Sequence, residues 1–126
     1  MADAPARFKD LCLDALDHQA LADWWCAAMG YRRRDELSPP EDGWTRPREW
    51  PVPIADPAGA GPLFWIIPVP EPKTVKNRMH LDVIGDKDAL VASGATLVRA
   101  RGDDIEWDVL ADPEGNEFCC FAPDDE

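Results

Sequence analysis

Two stretches of this chain, "CLDAL-DHQAL" from Cys12 and "HLDVIGDKDAL" from His80, repeat each other. Laid together they pair Cys12 with His80, Leu13 with Leu81, Asp14 with Asp82, Asp17 with Asp86 and Leu21 with Leu90, with Gly85 as the one inserted residue. Each copy alternates apolar and polar side chains as a strand does, then supplies an aspartate suited to capping a helix. A chain that opens twice in this way is constrained to two similar modules.

The first copy continues as a helix after Asp17, with Leu21, Trp24, Trp25, Ala28 and Met29 at the spacing of one apolar face. Gly30 offers its C-cap, and "YRRR" starts a short strand. Residues 39–72 hold ten of the 13 prolines, which predicts loops and edge strands there, with "PLFWIIPV" from Pro62 as the one convincing strand. The second copy runs through strand "MHLDVI", N-cap Asp86, helix "KDALVAS" stopped at Gly94, strand "ATLVRA", then "IEWDVL", the turn "ADPEGN" and strand "EFCCFA". The expected fold is α+β: two tandem βαβββ modules, one over about 7–70 and the other over about 77–123, within a single domain of 1–126.

Composition removes several partners. A net charge of −12 repels a phosphate backbone and an anionic membrane surface, so nucleic acid is not expected. No apolar run approaches the roughly 20 residues that span a bilayer, and the start "MADAPARFKD" lacks the layout of a signal peptide. The expected location is the cytoplasm. Cys12, Cys26, Cys119 and Cys120 have neither zinc-site spacing nor disulfide density, and the adjacent pair points to opposite faces of a strand, so all four read as free thiols.

Strand alternation places Cys12 and Asp14 on one face of the first strand, and His80 and Asp82 on the matching face of its repeat. Glu117, Cys119 and Phe121 share a face of the last strand, while Leu11, Leu13, Leu81 and Val83 belong to the opposite, helix-covered faces. Two readings stay open for each polar group. His80 either hydrogen-bonds a carbonyl or ligates, and Glu117 is a solvated edge carboxylate or a ligand. Cys12 reads as a small core side chain, and His18, at a helix start, as surface. Asp14 and Asp82 either hydrogen-bond structurally or repel each other enough to form a general acid or base. Trp24 and Trp25 belong to the core, Trp65 and Trp107 to the wall of a cavity, and Trp44 and Trp50 to an aromatic lid or plug in the proline-rich segment. Arg32 to Arg34, with Lys73, Lys76 and Arg78, read as solvated cations able to attract an anionic substrate.

The two modules, with "FKDLCLDALD", "KTVKNRMHLDV" and above all "DPEGNEFCCF", resemble the vicinal oxygen chelate superfamily and its glyoxalase-like, bleomycin-resistance-like branch. The resemblance implies a cupped, mostly antiparallel eight-stranded sheet with helices on its outer face and a cavity for a small molecule. It implies a homodimer, and one divalent metal ion or none. Carried over residue by residue, the ligand positions are Cys12, His80 and Glu117, with His80, Glu117, Asp14 and Asp82 as catalytic candidates. Cys12, Trp50, Trp65, Trp107, Cys119 and Phe121 become ligand-binding candidates. The chain departs from the pattern at Cys12, where a histidine is usual, and at Leu63, matched to Glu117 through "GPLF" and "GNEF". Leucine neither ligates nor accepts a proton, so a two-carboxylate isomerase is disfavoured and no tightly held metal is expected. The function so implied is small-molecule binding, with a metal-assisted lyase, isomerase or dioxygenase as one form and drug sequestration without chemistry as the other.

Overall fold

A computed structural model describes residues 4–123; the ends of the domain expected over 1–126, and of the N-terminal stretch read for a signal, lie outside the described residues. The chain forms two compact units, Met1–Pro70 and Glu71–Glu126. The first contains β1 (Leu11–Ala15), α1 (His18–Met29), β2 (Arg32–Arg33), α2 (Arg34–Leu37), a 3₁₀ turn (Glu41–Gly43), β3 (Val52–Ala55) and β4 (Phe64–Pro68). The second contains β5 (Leu81–Ile84), α3 (Lys87–Ala92), β6 (Thr96–Arg99), β7 (Asp108–Ala111) and β8 (Glu117–Phe121). Each unit is one βαβββ module, and the architecture is α+β.

The eight strands make two four-stranded sheets, ordered β1-β4-β3-β2 and β5-β8-β7-β6. In both, the first strand lies parallel to the last and the other neighbours are antiparallel. The topological identity of the two sheets is what the sequence repeat encodes.

The helix boundaries follow local chemistry. Asp17 accepts from the backbone N–H of Ala20 at 3.1 Å, and Gly30 ends α1 at φ +72°, a left-handed conformation that costs a glycine nothing. Asp86 repeats the cap at α3, accepting from Asp88 and Ala89. Leu21, Ala22 and Trp25 on α1 are buried with Val52, Ile54, Phe64 and Ile66 of β3 and β4, forming the core of the first unit. Leu110, Phe118 and Cys120 are the buried counterparts in the second.

The proline-rich segment holds a strand that the prolines disguise. Val52–Ala55 is an interior strand, paired to β4 on one side and β2 on the other. Proline is tolerated because β2 engages only Ile54 and Ala55, so the ladder on that side stops before Pro53, which has no N–H to donate. Alternation buries Val52 and Ile54 against the helix side of the sheet.

The β7–β8 hairpin is closed around Asp112, which is 2% exposed. Its Oδ1 accepts from the backbone N–H groups of Glu114 and Asn116, both at 2.9 Å, and its carboxylate also receives the Asn116 side-chain amide. Gly115, at φ +89°, donates its N–H to the Asp112 carbonyl. This turn sets the register that pairs Ala111 with Glu117, and so fixes which β8 side chains reach the solvent face.

Candidate functional site

In the second unit, parallel pairing sets Asp82 of β5 beside Cys119 of β8, and His80 immediately precedes β5. The three side chains meet: His80 Nδ1 lies 3.7 Å from Cys119 Sγ and 3.5 Å from Asp82 Oδ1. His80 and Asp82 are open to solvent, whereas Cys119 is 7% exposed. Burial raises the Cys119 thiol above its ordinary range, and the Asp82 carboxylate raises it further. Burial also raises Cys120 and pushes Cys26 up to about 11. None of these three thiols is a ready nucleophile at neutral pH. Trp107 and Phe121 flank the cluster as a tilted ring pair 5.4 Å apart.

Glu117 takes a different position from the one its strand face suggested. Its Oε1 accepts from the Asn77 backbone N–H at 3.3 Å and lies 3.7 Å from Lys76 Nζ, while Asn77 Oδ1 accepts from the Glu117 N–H. The carboxylate thus ties the segment before β5 to β8. Among the described residues, the donor atoms that converge on His80 are those of Asp82 and Cys119, and Glu117 is outside the group. The ligand set implied by resemblance is therefore not the set that this unit assembles, and Lys76 is a solvated cation that also approaches Glu117.

In the first unit, Cys12 and Asp14 are exposed, with Trp65 paired to Cys12 across β1 and β4. The expectation of Cys12 as a core side chain is corrected: alternation gives the buried face to Leu11, Leu13 and Ala15. Matching Leu13 to Leu81 and following the strand pairing places Trp65, not Leu63, at the position equivalent to Glu117. Trp65 donates its indole N–H to Asp10 at 3.0 Å.

Around Trp65 the aromatic and cationic side chains form a ribbon. The Arg34 guanidinium lies 5.3 Å from the Trp65 ring centre, and that of Arg46 lies 5.8 Å from Trp65 and 5.5 Å from Trp44. Trp44 and Trp50 follow with centroids 6.0 Å apart, at 44% and 48% exposure. Asp35 fixes Arg46 through two hydrogen bonds of 2.8 and 3.0 Å. His18 is half-buried rather than a bare surface residue, and with Gln19 it binds the Arg48 carbonyl, pinning the loop that carries Trp44 and Trp50 onto α1. Arg33 turns the other way, to Gln19 and Asp23. Of the three consecutive arginines, only Arg34 joins the ribbon. Arg34 was read from the sequence only as a solvated cation and Arg46 was not singled out, because the Trp65 ring that they share is remote along the chain; the one available signal was the interleaving in "WTRPREW".

The hydrogen bonds from Arg46 hold the Asp35 carboxyl below its usual range. A lowered folded-state pKa gives stability that is fully present above the unfolded value of about 3.9 and is lost as pH falls through the lower, folded one. The stability difference between wild type and Asp35→Asn is therefore expected to be constant near neutrality and to shrink only in that acidic window. Urea titrations at stepped pH measure it; a difference already shrinking near pH 6 would contradict the pairing.

Two cavities adjoin these elements. One of about 170 Å³ sits among Gln19, Arg33, Arg46, Arg48 and Pro53, and a shallow one of about 400 Å³ among Asp86, Lys87, Arg101, Asp108 and Pro123. Arg33, read from the sequence as a cation able to attract an anion, lines the first of them. Among the described residues no helix is long and apolar enough to cross a membrane.

This geometry agrees with comparisons to known proteins. The profile of the glyoxalase-like domain matches residues 10–121, and the chain belongs to that family. The fold is shared with a glyoxalase/bleomycin resistance protein/dioxygenase family enzyme from Burkholderia phytofirmans PsJN, at 18% identity and a TM-score of 0.63, covering 93% of this chain and 98% of that one. TnmS3, an antibiotic binding protein from Streptomyces sp. CB03234, superposes with a TM-score of 0.59 at 15% identity, covering 97% and 99%. A glyoxalase-related enzyme from Fulvimarina pelagi gives 0.60 at 14% identity, covering 94% and 88%. No curated protein matches the sequence.

Proposed function

We propose that this chain is a glyoxalase-like binding protein for small planar aromatic compounds. The observation that carries the reading is the ribbon of Trp65, Arg46, Trp44 and Trp50, with Arg34 at its end: tilted rings and the guanidinium groups over them leave two tryptophans about half exposed. Burying such rings without a ligand would be the ordinary outcome in a core; leaving them open costs apolar hydration that a flat ligand would relieve. With Arg46 already paired to Asp35, Arg34 favours an anionic substituent on that ligand, in a protein whose net charge of −12 otherwise repels it. That TnmS3, which shares the fold, is an antibiotic binding protein supports a small-molecule partner. Trp107 and Phe121 offer a second aromatic surface in the other module. Homodimer assembly and a cytoplasmic location complete the proposal and rest on the resemblance and composition.

A second reading is favoured by the His80–Asp82 approach of 3.5 Å, in which this pair moves a proton on the bound compound. Asp14 and Glu117 have secondary roles there: Asp14 on the open face of β1, Glu117 holding the segment before β5.

The test is a titration with 8-anilinonaphthalene-1-sulfonate followed by tryptophan quenching and calorimetry. Saturable binding is expected, weakened roughly tenfold by Trp44→Ala, as loss of one stacking face costs about 1.4 kcal/mol. Equal affinity in the two proteins would sink the reading. Compound recovered unchanged supports sequestration, whereas conversion that disappears in His80→Ala supports the second reading.

A further inference from the structure

We propose that His80 Nδ1, a carboxylate oxygen of Asp82 and Cys119 Sγ together form a binding site for a zinc-class divalent cation. The site lies within the second module alone, and it owes nothing to the tryptophan–arginine ribbon.

The argument begins with spacing. Around a tetrahedral zinc with nitrogen and oxygen ligands at about 2.0–2.1 Å and sulfur at about 2.3 Å, a nitrogen and a sulfur ligand lie about 3.6 Å apart, and a nitrogen and an oxygen about 3.4 Å. The observed separations are 3.7 Å for Nδ1 to Sγ and 3.5 Å for Nδ1 to Oδ1, and all three donors lie within 4.8 Å of one another. Two edges of the tetrahedron are thus drawn before an ion arrives.

The backbone explains why they keep that spacing. Asp82 and Cys119 are register partners on β5 and β8, so their side chains leave the sheet side by side on one face. His80 is two residues before Asp82 and returns over the same face. The Asp112 turn fixes the β8 register from the other end. Cys119 is more than nine-tenths buried and its sulfur lies 3.7 Å from the imidazole.

Donor chemistry narrows the ion. A thiolate with an imidazole and one carboxylate suits zinc and its spectroscopic substitute cobalt, and suits magnesium, calcium or manganese poorly. Binding converts the Cys119 thiol to a thiolate as the sulfur–metal bond forms, with the proton passing to solvent. Three protein ligands leave a fourth position for water or for a donor atom of a small molecule, and the exposure of His80 and Asp82 keeps that position reachable.

The neighbouring cysteine supplies the control. Cys120 points to the opposite face, where its thiol donates to the Gly85 carbonyl at 3.5 Å. Chelator-treated full-length protein is titrated with cobalt(II), then with zinc(II) by calorimetry. The wild type is expected to develop a thiolate-to-cobalt charge-transfer band and the visible bands of tetrahedral cobalt, with zinc displacing cobalt at one equivalent. Cys119→Ser and His80→Ala are expected to lose the charge-transfer band and at least about 100-fold in zinc affinity, and Asp82→Asn about tenfold or more. Cys120→Ser and Cys12→Ser are expected to bind as the wild type does. Circular dichroism of each variant separates lost ligation from lost folding, and exposed Asp82 provides the variant least able to disturb the core. No charge-transfer band in the wild type, an unchanged Cys119→Ser titration, or a Cys120→Ser loss matching that of Cys119→Ser would each overturn the assignment.

Discussion

Replacing Trp25 by alanine is expected to remove about 3–5 kcal/mol of stability, the largest single-residue effect in this molecule. Trp25 is 1% exposed and sits on the face of α1 turned toward β3 and β4. Neighbouring Trp24 meets it edge to face at a centroid distance of 5.0 Å. Truncation removes the most voluminous of the fully buried side chains and leaves a void that the β-branched and aromatic residues beneath cannot collapse to fill. For a domain whose total stability lies in the range of about 5–15 kcal/mol, the loss is large enough to lower the melting temperature by about 10 °C or more. Urea unfolding should show a lower midpoint at an unchanged slope. The half-buried Trp24 supplies the comparison, since its truncation opens less of the core. Equal effects of Trp24→Ala and Trp25→Ala would mean that α1 does not lie on the sheet in this way.

The second large effect is expected at Asp112. Substitution by alanine leaves the Glu114 and Asn116 backbone N–H groups without their acceptor in a turn where Asp112 itself is 2% exposed. A buried donor stranded in this way costs about 1–3 kcal/mol, and with two of them the expected loss is about 2–4 kcal/mol. Asp112→Asn keeps one acceptor oxygen and should recover more than half. Amide hydrogen exchange at Glu114 and Asn116 reports the effect locally, and slow exchange there in Asp112→Ala would refute it. Because the turn sets the β8 register, the same substitution should loosen the placement of Cys119 beside Asp82.

What could be read in advance follows the range of the forces involved. Both N-caps, the C-cap at Gly30 and the hairpin at Asp112 are written in contiguous residues, and so is the alternation that separates Leu11 and Leu13 from Cys12 and Asp14. These features were legible. Val52–Ala55 was not, because Pro51 and Pro53 are strong local breakers; its place inside the sheet depends on β2 stopping short, a fact about another segment. Within the candidate site, the shared face of His80 and Asp82 was visible from period two, and so was that of Glu117 and Cys119. Which carboxylate meets the imidazole was not visible. That depends on the path of residues 76–80, which carries Lys76 and Asn77 to Glu117 and leaves Asp82 for His80. Reading "GPLF" against "GNEF" likewise matched letters where hydrogen-bond register matches Trp65 to Glu117. The ring contacts of the ribbon's arginines were missed for a related reason: a guanidinium over a ring is selected by tertiary proximity, and nothing in "YRRR" separates Arg34, which lies over Trp65, from Arg33, which pairs with Asp23.

The parallel pairing of first strand with last, common to both modules, also governs the order of events when the chain is made. Leu11 cannot find Phe64, nor Leu81 find Phe118, until nearly the whole of each module exists. Hydrogen bonds that join the two ends of a unit are the costliest to form by chance encounter, and they slow folding relative to chains built from local contacts. The first module spans the longer loop, but the difference in closure entropy is only about 0.3 kcal/mol. Loop length therefore gives neither half a head start, whereas emergence from the ribosome does. Through synthesis β1 waits without a neighbour, and the arrival of "FWIIP" joins it to the paired β2 and β3 in one four-stranded sheet.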